Sequence, residues 1–180
     1  MGHVLTIMKH RRAVMRHCFR AGIPWRGLVH DLSKYSPTEL VNGIRFYQGH
    51  RSPNEREREV RGYSKAWLHH KGRNKHHFEY WRDVNMETHR YEPVKMPPVF
   101  AVEMFCDRVA ASKIYKGKAY KDSDPLEYFL RGNARAKMHP ETADDLERWL
   151  RLLAEKGEKA AFAEVKAELK AKRKEKRASR

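Results

Sequence analysis

A chain of 180 residues with 40% hydrophobic side chains and four Trp is long enough for one domain with a real core and short for two. No apolar run approaches the ~20 residues that span a bilayer. The start "MGHVLTIMKHRR" lacks the apolar segment and small-residue cleavage site of a secretory leader. A membrane or exported protein is therefore not expected, and Cys18 and Cys106, neither in a paired CxxC, read as reduced thiols of a cytoplasmic protein. The formal net charge of +16 points to polyanionic partners, phosphate first among them.

Apolar residues recur at helical spacing almost throughout and no convincing alternating strand appears, so the expected fold class is all-α. Val4, Ile7, Met8, Val14, Met15 and Cys18 mark one face of a first helix that ends at Gly22. Residues 1–30 hold Lys9, Arg11, Arg12, Arg16, Arg20 and Arg26 and no acid. Pro24 stands where a first-turn proline opens a second helix, running through "WRGLVHDLSKY". "SPTE", Ser36 to Glu39, reads as a capping box with proline at the first helical position, and starts a third helix that closes at "QGHRSPN". A fourth runs from about Asn54 toward "AWLHHKGRNKHHFEYW", and "YEPVKMPP" is a rigid connector. Pro97 and Pro98 launch "VFAVEMFCDRVAASKIY", apolar enough to be the central helix. A short helix follows at Leu126 to Leu130, then "HPETADDLERWLRLLAEKG" with Gly157 past its end. The remainder reads as an Ala/Lys/Glu helix of high propensity and little apolar surface. The expected organisation is one compact helical domain over residues 1–157 and a basic helical tail over 158–180 with generic affinity for nucleic acid.

The chemistry gathers around histidine. His69-His70 and His76-His77 lie within nine positions, and each buried imidazole needs partners for both nitrogens, a costly way to fill a core. Metal ions, phosphates or both would explain them. Adjacent His30 and Asp31 offer a nitrogen and an oxygen to one point, a mixed set suited to borderline divalent metals. Asp107 sits among Phe105, Cys106 and Val109, where a lone carboxylate is expensive, so it calls for a cation, either a metal or a core arginine. Lys71, Arg73, Asn74 and Lys75 between the histidine pairs read as an ordinary basic loop or as contacts to a phosphorylated substrate. Trp67, Phe78, Tyr80 and Trp81 read as core before base-stacking platform.

The order His10, His30-Asp31, His70, His76-His77, Asp107 on helices resembles the HD superfamily of metal-dependent phosphohydrolases. "HDLSK", with Lys34 three residues after Asp31, is similar to the binuclear and trinuclear branches of that superfamily. Over about residues 3–155 the chain more closely resembles DUF5662, an uncharacterised bacterial and phage family, through "HDLSKYSPTE", "GYSKAWLHHKGRNKHHFEYW", "MPPVFAVEMFCDRVAASK" and "HPET". The superfamily resemblance implies an HD-like domain with His10, His30, Asp31 and Asp107 as metal ligands. His70, His76 and His77 would complete the site or extend it toward a second ion. Asp31, Lys34 and His77 would carry catalytic roles, with Lys34 on a phosphate oxygen or the leaving group. His3 and His17 lie seven residues to either side of His10, and His69 reads as hydrogen-bonded structure. The spacing from His10 to Asp31 is shorter than the usual HD pattern.

The implied activity is hydrolysis of a nucleotide or other phosphate ester by a mono- or dinuclear site holding Mn²⁺, Fe²⁺ or Zn²⁺. Two other readings use the same residues. One is an HD-type nuclease or nucleic-acid-binding protein working through the basic surface. The other is a di-iron, oxygenase-like HD protein.

Overall fold

A computed structural model describes residues 2–178. Among the described residues it is all-α but for one small hairpin. Helices α1 (His3–Arg20), α2 (Pro24–Val29), α3 (Pro37–Arg45), α4 (Pro53–Arg61), α5 (Lys65–Lys71), α6 (Pro98–Lys116), α7 (Asp124–Arg131) and α8 (Pro140–Ala178) follow in chain order. Strands β1 (Arg82–Val84) and β2 (Tyr91–Pro93) pair antiparallel between α5 and α6, with Val84 opposite Tyr91. Among the described residues no helix is long and apolar enough to cross a membrane.

The central helix is α6, as its composition requires: Ala101 to Cys106, Val109 and Ala110 are all buried. Helix α1 packs along one side of it and α8 along another. Val14 and Cys18 from α1, Phe105 from α6, and Leu146, Trp149 and Leu150 from α8 meet in a single core. Helices α3, α4 and α5 form a second layer beyond α1.

Four expectations need correction. The second helix stops at Val29 rather than continuing through "HDLSKY": His30 is extended (φ −54, ψ 128), Asp31 is left-handed (φ 54, ψ 28), and Leu32–Tyr35 is a 3-10 turn. Aspartate is one of the few non-glycine residues that enters this region readily. The fourth helix is two, broken at Gly62, whose φ of 78 closes α4, before Ser64 caps α5 by accepting from the Trp67 amide. Part of the "YEPVKMPP" connector is β2. A three-residue strand, exposed at Tyr91 and half-buried at Glu92 and Pro93, has no room to show alternation.

The fourth correction concerns the C-terminal helix. Gly157 (φ 75, ψ 176) kinks α8, but Ala161, Phe162, Val165 and Leu169 beyond it are buried in the same core as Phe105. The kink folds the distal segment back onto the domain. Its apolar stripe is only four residues deep in a Lys/Glu-rich background, which is why composition understates it.

Candidate metal centre

Two groups of side chains meet at the junction of α1, α5 and α6. His10, His30 and Asp107 offer nitrogen and oxygen atoms within 4.8 Å of one another, and so do Asp31, His70, His76 and His77. His10 comes from α1, and Asp107 from α6. His30 and Asp31 come from the break after α2. His70 ends α5, and His76 and His77 lie in the turn beyond it. Arg11 fixes that break by donating from Nε to the His30 carbonyl (2.9 Å) and from a terminal nitrogen to the Leu28 carbonyl (3.0 Å). These carbonyls end a six-residue helix and would otherwise lack partners.

Asp31 joins the two groups. Its Oδ2 lies 3.3 Å from His30 Nε2 and 4.0 Å from His10 Nε2, and its Oδ1 lies 3.3 Å from His70 Nε2 and 3.4 Å from His76 Nε2. Asp107 closes the first group, with Oδ1 2.9 Å from His10 Nε2 and 3.6 Å from His30 Nε2. Its Oδ2 reaches toward the second, 3.9 Å from His76 Nε2. Two atoms bound to one ion at about 2.0–2.3 Å are separated by roughly 3–4 Å at tetrahedral or octahedral angles. The observed separations fall in that range.

Behind the histidines stand two carboxylates that sequence reasoning did not assign to the site. Glu103, fully buried on α6, places Oε1 3.0 Å from His30 Nδ1 and 3.3 Å from His76 Nδ1, while Oε2 accepts from Arg26 Nε at 2.6 Å. Glu39 accepts from His69 Nδ1 and His70 Nδ1, each at 2.7 Å. The capping-box reading of "SPTE" is half realised. Ser36 does cap α3, but the Glu39 carboxylate turns to the histidines instead of the helix end. For His30 and His70 a carboxylate on Nδ1 orients the ring and turns Nε2 toward the centre, the arrangement that metal-binding histidines use, although His70 Nε2 and His77 Nε2 meet there at 2.9 Å and His76 Nδ1 is left without a bonded partner.

The centre tests well for a cation. His10 Nε2, His30 Nε2, Asp31 Oδ1 and His76 Nε2 are buried without a hydrogen-bond partner; the 2.9 Å approach of His10 to Asp107 is close but not aligned for a bond. Buried polar atoms are normally paired, and here unpaired imidazole nitrogens converge on carboxylate oxygens. Burial alone would depress the His30 imidazole, yet Asp31, Asp107 and Glu103 carry it well above its ordinary value. Burial would likewise raise Asp31 and Asp107, but His30, Lys34 and His70 hold the first well below the carboxylate range, and His10 and His30 the second. Glu103 is held at about 2, against its burial, by His30, His76 and Arg26. His10 and His77 are pushed down, chiefly by burial.

The residues expected to bind substrate lie elsewhere. A cavity of about 770 Å³ opens over the centre, lined among others by His10, Asp31, Lys34, His70, His77 and Asp107. Lys71, Arg73, Asn74 and Lys75 are not among its lining residues. Asn74 is buried and structural, donating to Ser33 Oγ (2.7 Å) and the His70 carbonyl (2.8 Å). Arg73 reaches back to the His69 carbonyl, and the Lys75 ammonium lies over the Tyr80 and Phe100 rings. Lys34 does face the cavity, with Nζ 2.7 Å from Asp31 Oδ2. Of the outlying histidines, His3 lines the cavity beside Tyr47, and His17 is buried with Nδ1 3.1 Å from the Cys106 carbonyl. Trp67 and Phe78 line the cavity, whereas Trp81 packs on Phe100.

Residues 1–152 match the family model described as a family of unknown function, DUF5662. No curated protein and no solved structure matches the chain.

Proposed function

The chain belongs to the DUF5662 family, and we propose that it is a metal-dependent phosphohydrolase acting on a nucleotide or another phosphate ester. One observation carries this reading: histidine nitrogens and aspartate oxygens form two groups that Asp31 bridges, with His10 Nε2, His30 Nε2, Asp31 Oδ1 and His76 Nε2 buried and unpaired among them and carboxylates behind the histidines. The residues fit one or two ions. His10, His30, Asp31 and Asp107 would hold the first, and Asp31, His70, His76 and His77 the second. The donor set of imidazole nitrogens and carboxylate oxygens suits Mn²⁺, Fe²⁺ or Zn²⁺. A divalent ion in such a setting polarises a phosphoryl oxygen and acidifies water enough for attack near neutral pH.

The chain's own residues supply the rest. Glu39 and Glu103 orient the rings. Lys34, one turn from Asp31, brings an ammonium to the edge of the cavity, where it can meet a phosphoryl or leaving-group oxygen. Trp67 and Phe78 give the wall an apolar stretch that limits water. A nuclease reading draws on the net charge of +16, and one experiment separates the two. Protein stripped by chelator is reloaded with Mn²⁺, Fe²⁺ or Zn²⁺ and assayed on phosphomonoesters, phosphodiesters, mononucleotides and single-stranded DNA. Monoester or mononucleotide turnover that vanishes in Asp31→Asn is the expected result. Cleavage of DNA alone would replace the proposal by the nuclease, and no turnover with any ion would overturn both.

A further inference from the structure

One charge in the cavity has no use in the account above. Arg108 follows Asp107 on α6 and lines the same cavity as Asp31, Lys34, His70 and His77. Its Nε is buried without a hydrogen-bond partner. Among the described residues no carboxylate comes within ion-pair distance of it. Other cations close to the centre are matched: Lys34 sits on Asp31 at 2.7 Å and Arg26 on Glu103 at 2.6 Å. The Asp107 carboxylate beside it faces the donor cluster instead, with Oδ1 2.9 Å from His10 Nε2. The guanidinium carbon lies 5.9 Å from the centre of the Phe129 ring, so α7 supports the group from an apolar side without satisfying its N–H donors.

Asp107 and Glu79 are the carboxylates that act on this half-buried guanidinium, and both do so from beyond ion-pair distance, with Glu79 Oε2 itself buried and unpaired on the same cavity. A guanidinium whose desolvated N–H has no bonded partner carries a cost that a closer anion would repay. Lysine could bend its flexible stem out to water, whereas arginine presents a planar fork of donors. That fork matches two oxygens of one tetrahedral oxyanion. Arg131 from α7 and Lys137 just beyond it line the same cavity, together with the acids Glu79, Asp124 and Glu127.

We propose that Arg108 is the phosphoryl-binding residue of this chain, holding two oxygens of a phosphate group whose remaining oxygens face the His/Asp centre. It touches the substrate itself and is the counterpart that Lys71, Arg73 and Lys75 do not provide. The inference rests on the hydrolase reading for its catalytic consequence, but oxyanion binding can be measured without turnover.

The test is calorimetric titration of inorganic phosphate into Mn²⁺-loaded protein, for the parent, Arg108→Gln and Arg108→Lys. Metal content is measured in the same samples. Arg108→Gln should weaken phosphate binding about ten-fold or more, the scale of a lost charge-assisted pair, with metal content unchanged. Arg108→Lys should recover part of the loss, since it returns the charge but not the fork. On any ester that turns over, Arg108→Gln should lower kcat/KM by a comparable factor. Parent-like phosphate affinity in both variants, with folded protein and full metal, would overturn the proposal. If the parent hydrolyses no ester but the phosphate affinity still falls in Arg108→Gln, the anion site stands and the hydrolase reading falls. If esters are hydrolysed and Arg108→Gln leaves kcat/KM and phosphate affinity intact, the hydrolase stands and Arg108 does not.

Discussion

The replacement Glu103→Gln is a sharp probe of the centre because it changes charge with almost no change of shape. One carboxylate oxygen faces His30 at 3.0 Å and His76 at 3.3 Å, and these rings belong to different groups of donors. Loss of a carboxylate behind a metal-ligating histidine typically costs 10–100-fold in affinity, about 1.4–2.7 kcal/mol. Since Glu103 serves a ring in each group, both positions should weaken, so the joint affinity for two ions should fall roughly 10²- to 10⁴-fold. Glu39→Gln is the internal comparison, because Glu39 contacts His70 in the second group, with His69 and Ser33 as its other partners, and no ring of the first group. It should weaken one position and spare the other. Arg26, the third partner of Glu103, is 27% exposed and can turn to water, so the fold should survive. Elemental analysis after dialysis against graded chelator reads the occupancy, and Co²⁺ absorption reports each coordination sphere without any activity assay. Full retention of both ions in Glu103→Gln would refute the reasoning, as would equal loss from both positions in Glu39→Gln.

Two further predictions concern the scaffold. Phe162→Ala should cost about 3–5 kcal/mol, because Phe162 is 2% exposed and packs against Phe105 beyond the Gly157 kink; chemical denaturation would show it, and a parent-like midpoint would mean the distal segment is not part of the core. His17, 5% exposed and held at about 4 chiefly by burial, is neutral in the fold and takes up its proton first in the unfolded chain. Its contribution is therefore complete above about pH 6.5 and is lost between there and about pH 4, by at most about 3–4 kcal/mol. His17→Gln should flatten stability against pH across that window relative to the parent, and an identical slope would assign the acid sensitivity to other groups.

What the sequence made legible was chemistry carried by unusual residues in unusual places. A carboxylate at Asp107 inside an apolar helix and two histidine pairs in one short stretch are expensive, and expense marks a site. The helices were legible through spacing and caps, above all α3 at "SPTE" and α6 after Pro97-Pro98. The break at His30-Asp31 was not, because its left-handed aspartate looks like any other aspartate in one dimension and Pro24 favours continuing a helix. Glu39 and Glu103 escaped for another reason. Glu39 satisfied a capping motif, which offered a complete local explanation for a residue whose partners lie 30 and 31 positions away. Glu103 lies four residues before Asp107, one helical turn back on the same face of α6. That spacing is a usable signal, since two acids on one face of a buried helix share a destination. Arg108 carries no mark in the sequence, because an arginine next to an aspartate gives no sign of which way either side chain turns, and here Asp107 faces His10.

The charges around the centre bear on how many ions it can accept. Asp31, Asp107, Glu39 and Glu103 contribute four negative charges, and Lys34 and Arg26 return two positive ones. With neutral imidazoles the cluster is left two charges negative in surroundings that screen poorly. Without an ion, the relief available is a proton on His30, which its three carboxylate neighbours favour. One divalent ion would neutralise the cluster and displace that proton from the Nε2 lone pair. A second would leave the cluster two charges positive, a state that is costly in isolation and is relieved when a doubly charged phosphoryl group arrives. Arg108, outside this count and unpaired, adds to the same demand for an anion. On the proposed reading the electrostatics would tie the second position to the substrate: a first ion would belong to the resting protein, and a second would be held most firmly with phosphate bound.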